Sequence, residues 1–416
     1  MQRIEHLNLQ FKDKTNYNGG QVGPKRDDDV VIIGMARTAM TRAKRGPQKD
    51  TGLEAMLAPC LAEVIRQSGI KAENVEDVVI GNVLAPGSAA TNARMAMYLA
   101  GFPDTTSVHA INRLCSSGLQ SVATVANQIK SGQIGIGIGG GMESMTNYDM
   151  MGAVNPALLS EKVFEHEKAR DCLMPMGITS ENVAKDYKIT REAMDKMAVE
   201  SHMKAANAQK QGWSQKEITP YKTMVKDKNG DEKEITVDRD DGVRPTTTFE
   251  GLQKLKPAFA KDGMTTAGNS SQVTDGASCI LLARRDIAKK LGAKIFGRIV
   301  SFSVAGVPPR VMGIGPAYAI PAALERSGLS MKDIDSFEIN EAFASQALYC
   351  VNVLGVPKEK LNQRGGAMAL GHPLGMTGSR MVVTLFHELE RVNGRFGLVS
   401  MCIGTGMGAC GIFERE

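Results

Sequence analysis

Three residues with reactive side chains, Cys115, His372 and Cys402, each lie in a segment rich in small residues. Cys115 opens the run Cys-Ser-Ser-Gly, directly before a helical pattern of apolar residues from Leu119 to Ile129. A helix N-terminus lowers the pKa of a thiol from about 8.5, and a neighbouring imidazole lowers it further. Cys115 is therefore predicted to be a nucleophile.

His372 lies within Arg364–Arg380, a stretch that holds five glycines and one proline. The residue before a proline prefers an extended backbone, and Gly371 and Gly375 permit tight turns. After Gly378 a helical pattern of apolar residues begins. We therefore expect His372 on a tight loop that leads into a helix.

The second half of the sequence repeats the first. A shift of about 257 residues places Cys115 on His372, each three residues before a glycine. Arg66–Gly69 matches Arg326–Gly328 at an offset of about 259, and each is followed by a predicted strand. Two equivalent helix starts that face each other across a pseudo-twofold axis would form a Cys–His pair, as nucleophilic catalysis requires.

Two further segments fit the same chemistry. Cys402 follows the predicted strand Leu398–Met401 and precedes glycines, so its thiol can move a proton while backbone N–H groups approach an oxyanion. Asn340 stands in Asn-Glu-Ala-Phe at another strand end, where its amide can orient a water or donate to an oxyanion.

The repeats indicate an α/β fold of two βαβ-type halves, with mostly parallel sheets between helix layers. Gly276–Ile280 matches Gly408–Ile412, but in the first half a polar, methionine-rich insertion precedes that strand. Strands are predicted at 29–34, 75–81 and 134–138, helices at 53–68 and 119–129, and, within the insertion, a helix from Thr190 to Gly212 and a hairpin with a two-residue turn at Asn229-Gly230. The predicted domains are an N-terminal extension at 1–28, a first half at 29–142 plus 271–290, an inserted loop domain at 143–270, and a second half at 291–416.

Composition excludes several classes of protein. A net charge of +5 over 416 residues is mild, suits an anionic small substrate and is weak support for nucleic-acid binding. No apolar run is long enough for a membrane span. The seven cysteines are scattered without a C-x-x-C, which argues against a disulfide framework and a structural zinc site and indicates a reducing compartment.

The N-terminal segment contains Arg3-Ile4, five further residues, then Gln10 and Phe11. This spacing resembles the amino-terminal (type 2) peroxisomal targeting signal, whose last position is usually Leu or Ala. The prediction is a peroxisomal or related microbody matrix, with an import receptor as a partner. Mitochondrial and cytosolic locations stay as alternatives.

The motifs, in this order, resemble the thiolase family over about residues 29–416. The resemblance implies a layered α-β-α-β-α core with an inserted loop domain. The amino acids within these motifs are most similar to those of the peroxisomal 3-ketoacyl-CoA thiolases. The segments that carry the resemblance are Cys115–Gly118, Asn340–Phe343, Gly371–Gly375 and Cys402–Gly404, with Met176–Thr179 supporting the peroxisomal type.

The resemblance also implies a mechanism. His372 would activate Cys115, which would attack the 3-keto carbon of a 3-ketoacyl-CoA and release acetyl-CoA as a carbanion equivalent. Cys402 would protonate that carbanion and then deprotonate the incoming CoA. His372 and a water held by Asn340 would stabilise the enolate oxygen, and the backbone N–H groups of Cys115 and Gly404 would form a second oxyanion hole.

Further implications concern binding. Arg244 would stack on the adenine of CoA, and Ser271 would bond its pantetheine arm. CoA would enter as a substrate, with no permanently bound cofactor and no metal, and the protein would be a homodimer without nucleic acid or membrane partners.

Other interpretations remain open at this point. They are a biosynthetic acetoacetyl-CoA thiolase, a non-catalytic carrier of acyl-CoA or lipid on the same scaffold, and a zinc enzyme that uses Cys115, His372 and Cys402. Gly135-x-Gly137-x-x-Gly140 matches a dinucleotide fingerprint, but it lies within a predicted strand and no clear helix follows. A decarboxylating condensing enzyme would carry a second histidine where Asn340 stands.

Overall fold

The computed structural model describes residues 22–150 and 154–416, so the predicted targeting segment at Arg3 to Phe11 lies outside the described residues. The strands are β1 (Val30–Arg37), β2 (Thr41–Arg42), β3 (Asp77–Gly81), β4 (Ser107–Ile111), β5 (Ile136–Ser144), β6 (Tyr221–Lys226), β7 (Glu232–Val237), β8 (Thr274–Arg284), β9 (Gly297–Gly306), β10 (Ser336–Ile339), β11 (Phe396–Ile403) and β12 (Met407–Arg415).

The α-helices are α1 (Leu53–Ser68), α2 (Ala90–Leu99), α3 (Ser117–Lys130), α4 (Glu161–Glu165), α5 (Glu167–Asp171), α6 (Met176–Asp186), α7 (Arg191–Lys210), α8 (Phe249–Gln253), α9 (Arg285–Lys290), α10 (Pro316–Ser327), α11 (Ala344–Leu354), α12 (Ala367–Leu370) and α13 (Leu374–Arg391). Short 3-10 helices lie at Ala72–Asn74, Pro86–Ala89, Pro156–Leu158, Ser214–Lys216, Pro309–Ile314, Met331–Asp333 and Lys358–Lys360. Within the described ranges, no helix combines the length and apolarity that crossing a membrane requires.

Local sequence signals predicted several of these elements. Helix α1 has the predicted bounds, and the Thr190 hydroxyl caps α7 by accepting a hydrogen bond from the Ala193 amide at 3.2 Å. Strands β6 and β7 form the predicted hairpin, but residues 227–231 make a five-residue loop rather than the two-residue turn that Asn-Gly suggested. Helix α13 begins at Leu374 rather than after Gly378.

The internal repeat is present in the structure. Helices α1 and α10 both end at a glycine with positive φ, Gly69 at 70° and Gly328 at 68°, where only glycine fits without strain. Each is followed by a 3-10 turn and then by a strand, β3 or β10. In the ten-stranded sheet, the order β1-β8-β5-β3 in the first half matches β9-β12-β11-β10 in the second.

The prediction of mostly parallel sheets is wrong. Only the pairs β3–β4, β3–β5 and β10–β11 are parallel, and the other strand pairs in the described part of the chain are antiparallel. The βαβ units produce the parallel pairs. Strand β12 follows β11 through a turn of three residues, 404–406, which can join only antiparallel neighbours. Strands β1 and β9 then pair antiparallel with β8 and β12 and join the two halves.

Three hydrophobic clusters define five layers. The first packs α1 and α2 on one face of β1, β3, β5 and β8. The second lies between the two halves and contains α3 and α13. It also contains the faces of β1 and β11 that point away from the first and third clusters. The third packs α7, α10 and α11 against β10, β11 and β12. The predicted α-β-α-β-α layering is therefore confirmed.

Helices α3 and α13 touch at their first turns, and glycine makes this possible. A Cβ on Gly118 would lie 2.6 Å from the Gly375 carbonyl oxygen and 2.9 Å from the Ser379 nitrogen. Because Cys115 and His372 each precede one of these helix starts, the close crossing places the two predicted reactive residues at the interface between the halves.

A buried ionic network attaches residues of the predicted insertion to both halves. Arg37, at the end of β1, binds Asp240 through both terminal nitrogens at 2.9 and 3.0 Å and binds Glu217 at 3.1 Å. Glu217 also accepts from Arg364 at 2.8 Å, and Arg364 binds Glu388 of α13 at 3.0 Å. Burial alone would raise the pKa of Glu217, but Arg37 and Arg364 lower it to about 2.

Candidate active site

Cys115 lies in a tight turn immediately before α3. Leu114 has a φ of 47°, a left-handed conformation that its amide stabilises by donating to Asn112 Oδ1 at 2.8 Å. The Ser117 hydroxyl accepts from the Arg113 amide at 2.9 Å and donates to the Leu114 carbonyl at 2.6 Å. These local bonds fix the backbone on both sides of the thiol.

The environment of the Cys115 thiol differs from the prediction. The backbone N–H groups of Gly404 and of Cys115 itself donate towards the sulfur and lower its pKa. Burial of the sulfur and the negative charge of Glu143 act the other way, burial most strongly, and the net effect raises the pKa of the Cys115 thiol. The prediction of a lowered pKa is therefore wrong, and the thiol must lose its proton to a base during the reaction.

His372 is held by a loop that gives its ring one defined orientation. Its backbone N–H donates to the Gln272 carbonyl at 3.0 Å, and its Nδ1 lies 2.6 Å from Thr377 Oγ1. The Thr377 hydroxyl donates its single proton to the Pro373 carbonyl at 3.1 Å. We therefore assign the ring proton to Nδ1, with Thr377 Oγ1 as its acceptor, which leaves the lone pair on Nε2.

Asn340 contacts the basic nitrogen of His372 directly. Asn340 Nδ2 lies 3.3 Å from His372 Nε2, and its Oδ1 is buried without a hydrogen-bond partner among the described residues. Burial, with a smaller contribution from the nearby charge of Arg380, lowers the pKa of His372 to about 3. The imidazole is thus neutral at physiological pH and available to accept a proton.

Cys402 lies near the end of β11 and is fully buried. It packs in a small apolar cluster with Met312, Ala342 and Phe343. Burial and, next, the Cys115 thiol raise the pKa of Cys402 well above its usual value. A thiol in this environment holds its proton and can deliver it to a stronger base.

The other two predicted residues, Ser271 and Arg244, have different surroundings. The Ser271 amide donates to the Ala342 carbonyl at 2.9 Å, which joins Ser271 to the Asn340–Phe343 segment. Arg244 is exposed, and its backbone N–H donates to Nδ1 of the buried His202 at 3.2 Å. Burial lowers the pKa of His202 to about 4, so a neutral ring holds this loop.

Sequence reasoning missed three residues that support the site. Thr377 orients His372, as described above. Gln272 Nε2 donates to the Gly242, Met368 and Ala369 carbonyl oxygens at 2.9 to 3.0 Å. The backbone carbonyl of Gln272 accepts from the His372 amide. Glu143, at the start of the predicted insertion, is a buried residue of β5. For these three residues, the only indication in the sequence was that Gln272 directly follows Ser271, a predicted site residue.

Two alternative chemistries lack support in this geometry. Among the described residues, no group of three or more His, Cys, Asp or Glu side chains is arranged to hold a metal ion, so Cys115, His372 and Cys402 do not form a zinc site. Gly137 and Gly140 lie inside β5, whereas a dinucleotide fingerprint requires a turn between a strand and a helix.

Comparison with known proteins agrees with this geometry. Residues 30–286 match the thiolase N-terminal domain, and residues 293–415 match the thiolase C-terminal domain. The chain is 56% identical over 387 residues to peroxisomal 3-ketoacyl-CoA thiolase B of Rattus norvegicus, covering 93% of this chain and 91% of the relative. It is 50% identical to peroxisomal 3-ketoacyl-CoA thiolase of Yarrowia lipolytica over the whole length of both chains.

The fold comparison gives the same result. The crystal structure of the dimeric peroxisomal thiolase of Saccharomyces cerevisiae superposes with a TM-score of 0.86 at 46% identity, covering 94% of this chain and 99% of that chain. Both domain matches and the fold thus agree with one family. The chain belongs to the thiolase family.

Proposed function

We propose that the protein is an acyltransferase that uses CoA to cleave 3-ketoacyl-CoA into acetyl-CoA and an acyl-CoA shortened by two carbons, as in fatty-acid β-oxidation. The observation that carries this proposal is the contact of α3 and α13 at their first turns, because Cys115 and His372 directly precede these two helices. The Cys115 thiol lies beside the Gly404 N–H and, next to burial, raises the pKa of the protonated Cys402, and the neutral His372 is paired with Asn340. The high identity to named peroxisomal 3-ketoacyl-CoA thiolases supports the same reaction.

The first half-reaction forms an acyl-enzyme. His372 Nε2 accepts the Cys115 proton while the sulfur attacks the 3-keto carbon, because the raised pKa of this thiol leaves little thiolate beforehand. The Cα–Cβ bond breaks, and its electron pair leaves as the enolate of acetyl-CoA. Cys402 donates its proton to the α-carbon of that enolate.

The second half-reaction returns the enzyme to its starting state. The Cys402 thiolate takes the proton of an incoming CoA thiol, and the CoA sulfur attacks the acyl carbon on Cys115. The C–S bond to Cys115 breaks, the shortened acyl-CoA leaves, and Cys115 regains its proton from His372. The reaction passes through a covalent intermediate, so ping-pong kinetics are expected.

Two oxyanion sites follow from the donors. The N–H groups of Cys115 and Gly404, which both point towards the Cys115 sulfur, donate to the oxygen of the carbonyl that reacts there. Asn340 and His372 face the enolate oxygen, and the unpartnered Asn340 Oδ1 is placed to hold a water. The reaction as proposed uses CoA as a substrate and needs neither a metal nor a bound cofactor.

The experiment that tests the function is CoA-dependent cleavage of a short and a long 3-ketoacyl-CoA, with the acyl-CoA products separated by chromatography. Cleavage of the long substrate is the expected result. Turnover of acetoacetyl-CoA alone would instead indicate a biosynthetic thiolase. Tight binding of both esters without turnover would indicate a non-catalytic carrier.

The proposed CoA site uses Arg244 and Ser271 on the side of the insertion at 143–270. Arg244 is exposed on a loop fixed by His202, so its guanidinium is accessible to an adenine. Arg244→Ala is expected to raise the KM for CoA roughly tenfold with little change in kcat, whereas Arg66→Ala on α1 should change neither. An unchanged KM would remove Arg244 from the site.

The proposed division of the chain is an extension at 1–28, a first half at 29–142 plus 271–290, the inserted loop domain at 143–270 and a second half at 291–416. If the insertion is the CoA side, hydrogen exchange should slow within 143–270 when CoA is added. Protection confined to residues outside the insertion would contradict this assignment.

We also propose a homodimer. One structural relative is described as dimeric, and in the described part of the chain β4 forms an edge of the sheet with β3 as its only strand neighbour. Beside that edge, α2 exposes 48% of Tyr98 and 65% of Leu99, an apolar surface suited to a second copy. Light scattering should give twice the chain mass of 44.6 kDa, and a monomer mass would refute the dimer.

The proposed location is the peroxisomal matrix, since the relatives are named peroxisomal. An import receptor would recognise the Arg3 to Phe11 segment. A fluorescent fusion of the whole chain should enter peroxisomes, and a fusion with Arg3→Ala should stay outside. Entry of both fusions would exclude this segment as the signal.

A further inference from the structure

Glu143 is a buried carboxylate at the centre of the molecule with four hydrogen-bond donors. Its Oε1 accepts from Asn82 Nδ2 at 3.0 Å and from the Leu84 amide at 3.2 Å. Its Oε2 accepts from the Val83 amide at 3.0 Å and from the Gly375 amide at 2.9 Å. The side chain has no exposed surface, so its oxygens are fully used by the protein.

These four bonds connect the segments that carry the two reactive residues. Gly375 lies three residues after His372, in the first turn of α13. On the other side, the Val83 carbonyl accepts from Asn112 Nδ2 at 3.1 Å, and Asn112 caps the turn that precedes Cys115. One carboxylate therefore ties the helix start of the second half to the nucleophile loop of the first.

The strand registers show which residues of the two halves correspond. Met142 pairs with Ala277, and Met401 pairs with the equivalent Ala409, so Glu143 corresponds to Cys402. Gly81 pairs with Gly141, and Ile339 pairs with Ser400. The residues that follow Gly81 and Ile339, Asn82 and Asn340, therefore also correspond.

The correspondence extends to the third residue, because Cys115 and His372 each stand two residues before their helix. The constellation Asn340, His372 and Cys402 of the second half thus has a counterpart in the first half, made of Asn82, Cys115 and Glu143. In that counterpart the position of the proton-transferring thiol is taken by a carboxylate whose oxygens all bind backbone or amide donors.

We propose that Glu143 is a positioning residue for the thiolytic reaction, and that it holds the helix start carrying His372 against the loop carrying Cys115. This inference rests on the proposed function, in which Cys115 and His372 act together. Glu143 does not reach the substrate, because it is enclosed by the donors that it binds. Burial raises the pKa of Glu143 to about 7, so above that pH its charge opposes ionisation of Cys115, which provides an independent readout.

The test compares Glu143→Gln with the matched variant Glu414→Gln. Glu414 is also buried and hydrogen bonded, to Arg298 and Arg395, but it lies at the opposite end of β11 and β12 from Cys402. Glutamine at 143 puts an NH₂ group in place of one carboxylate oxygen, so either the Asn82 and Leu84 contacts or the Val83 and Gly375 contacts are lost. We expect kcat to fall roughly 100-fold, as for a displacement of about 1 Å, with little change in the KM for CoA.

A second readout is the rate of Cys115 alkylation by iodoacetamide as a function of pH, followed by mass spectrometry. In Glu143→Gln the curve should move to lower pH because the opposing charge is gone. Glu143→Asp keeps the charge but shortens the reach, so it should lower kcat without moving the curve. Glu414→Gln should lose stability in urea without either effect.

The possible outcomes separate the two proposals. Values of kcat within about threefold of the unmodified enzyme in both Glu143 variants would overturn the positioning role. An alkylation curve that does not move in a folded Glu143→Gln protein would also overturn this role. If the Glu143→Gln variant does not fold, the kcat of Glu143→Asp decides whether the positioning role holds. Because alkylation needs no substrate, a shifted curve in an enzyme that cleaves no 3-ketoacyl-CoA would uphold the Glu143 contact and refute the proposed function alone.

Discussion

Replacing Cys115 with alanine is expected to abolish thiolytic cleavage, lowering kcat by roughly 10⁶-fold, the scale on which loss of a catalytic nucleophile acts. We do not expect His372 or Cys402 to substitute, because the N–H groups of Cys115 and Gly404, which would stabilise the reacting carbonyl oxygen, point towards the Cys115 sulfur. The measurement is single-turnover cleavage of a long 3-ketoacyl-CoA, with the acyl-enzyme detected by mass spectrometry. The acyl mass should appear on the peptide that contains Cys115 and be absent from the variant.

The chain offers a matched control for this experiment. Cys115 and Cys172 are the only two of the seven cysteines that are not fully buried. Cys172→Ala should keep full activity, and iodoacetamide should inactivate that variant as fast as the unmodified enzyme. Since the pKa of Cys115 is raised, inactivation should keep accelerating with pH through the ordinary thiol pKa of about 8.5. Residual turnover above about 1% in Cys115→Ala would show that another group is the nucleophile.

Replacing Cys402 with alanine is expected to lower kcat by roughly 10² to 10⁴-fold, the usual contribution of a positioned acid or base. The enolate of acetyl-CoA then leaves without a proton donor, and CoA attacks without a base. This corresponds to about 3 to 5 kcal/mol of transition-state stabilisation. Alkylation of Cys115 should continue at nearly the normal rate, because that reaction needs no proton from Cys402. Steady-state turnover and iodoacetamide labelling of the same sample test both statements.

Cys410 provides the corresponding control. It is also a fully buried cysteine, on the neighbouring strand β12 opposite Ser400. Cys410→Ala removes a sulfur of the same kind from the core, so it should lower stability but leave kcat unchanged. If Cys402→Ala kept more than about a tenth of the normal kcat, proton transfer would have to be assigned to another group.

The sequence by itself determined the local elements and the identity of the candidate residues. Gly69 and Gly328 marked the ends of equivalent helices, Thr190 marked the start of α7, and the apolar period gave α1 and α3. Such signals depend on neighbouring residues alone, through backbone conformation, capping and the periodicity of one buried face. The glycine-rich segments around Cys115, His372 and Cys402 are of the same kind, since the close crossing of two helices requires small residues wherever it occurs.

Only the tertiary structure decided how these residues act. Strand direction depended on the connections at β8 and β12 rather than on the βαβ pattern. The pKa of Cys115 rises because burial and Glu143 outweigh the backbone donors, a balance that no spacing in the sequence contains. The roles of Thr377, Gln272 and Glu143 likewise come from contacts between segments far apart in the chain. Burial and electrostatic energies depend on distances in space, and the fold sets those distances.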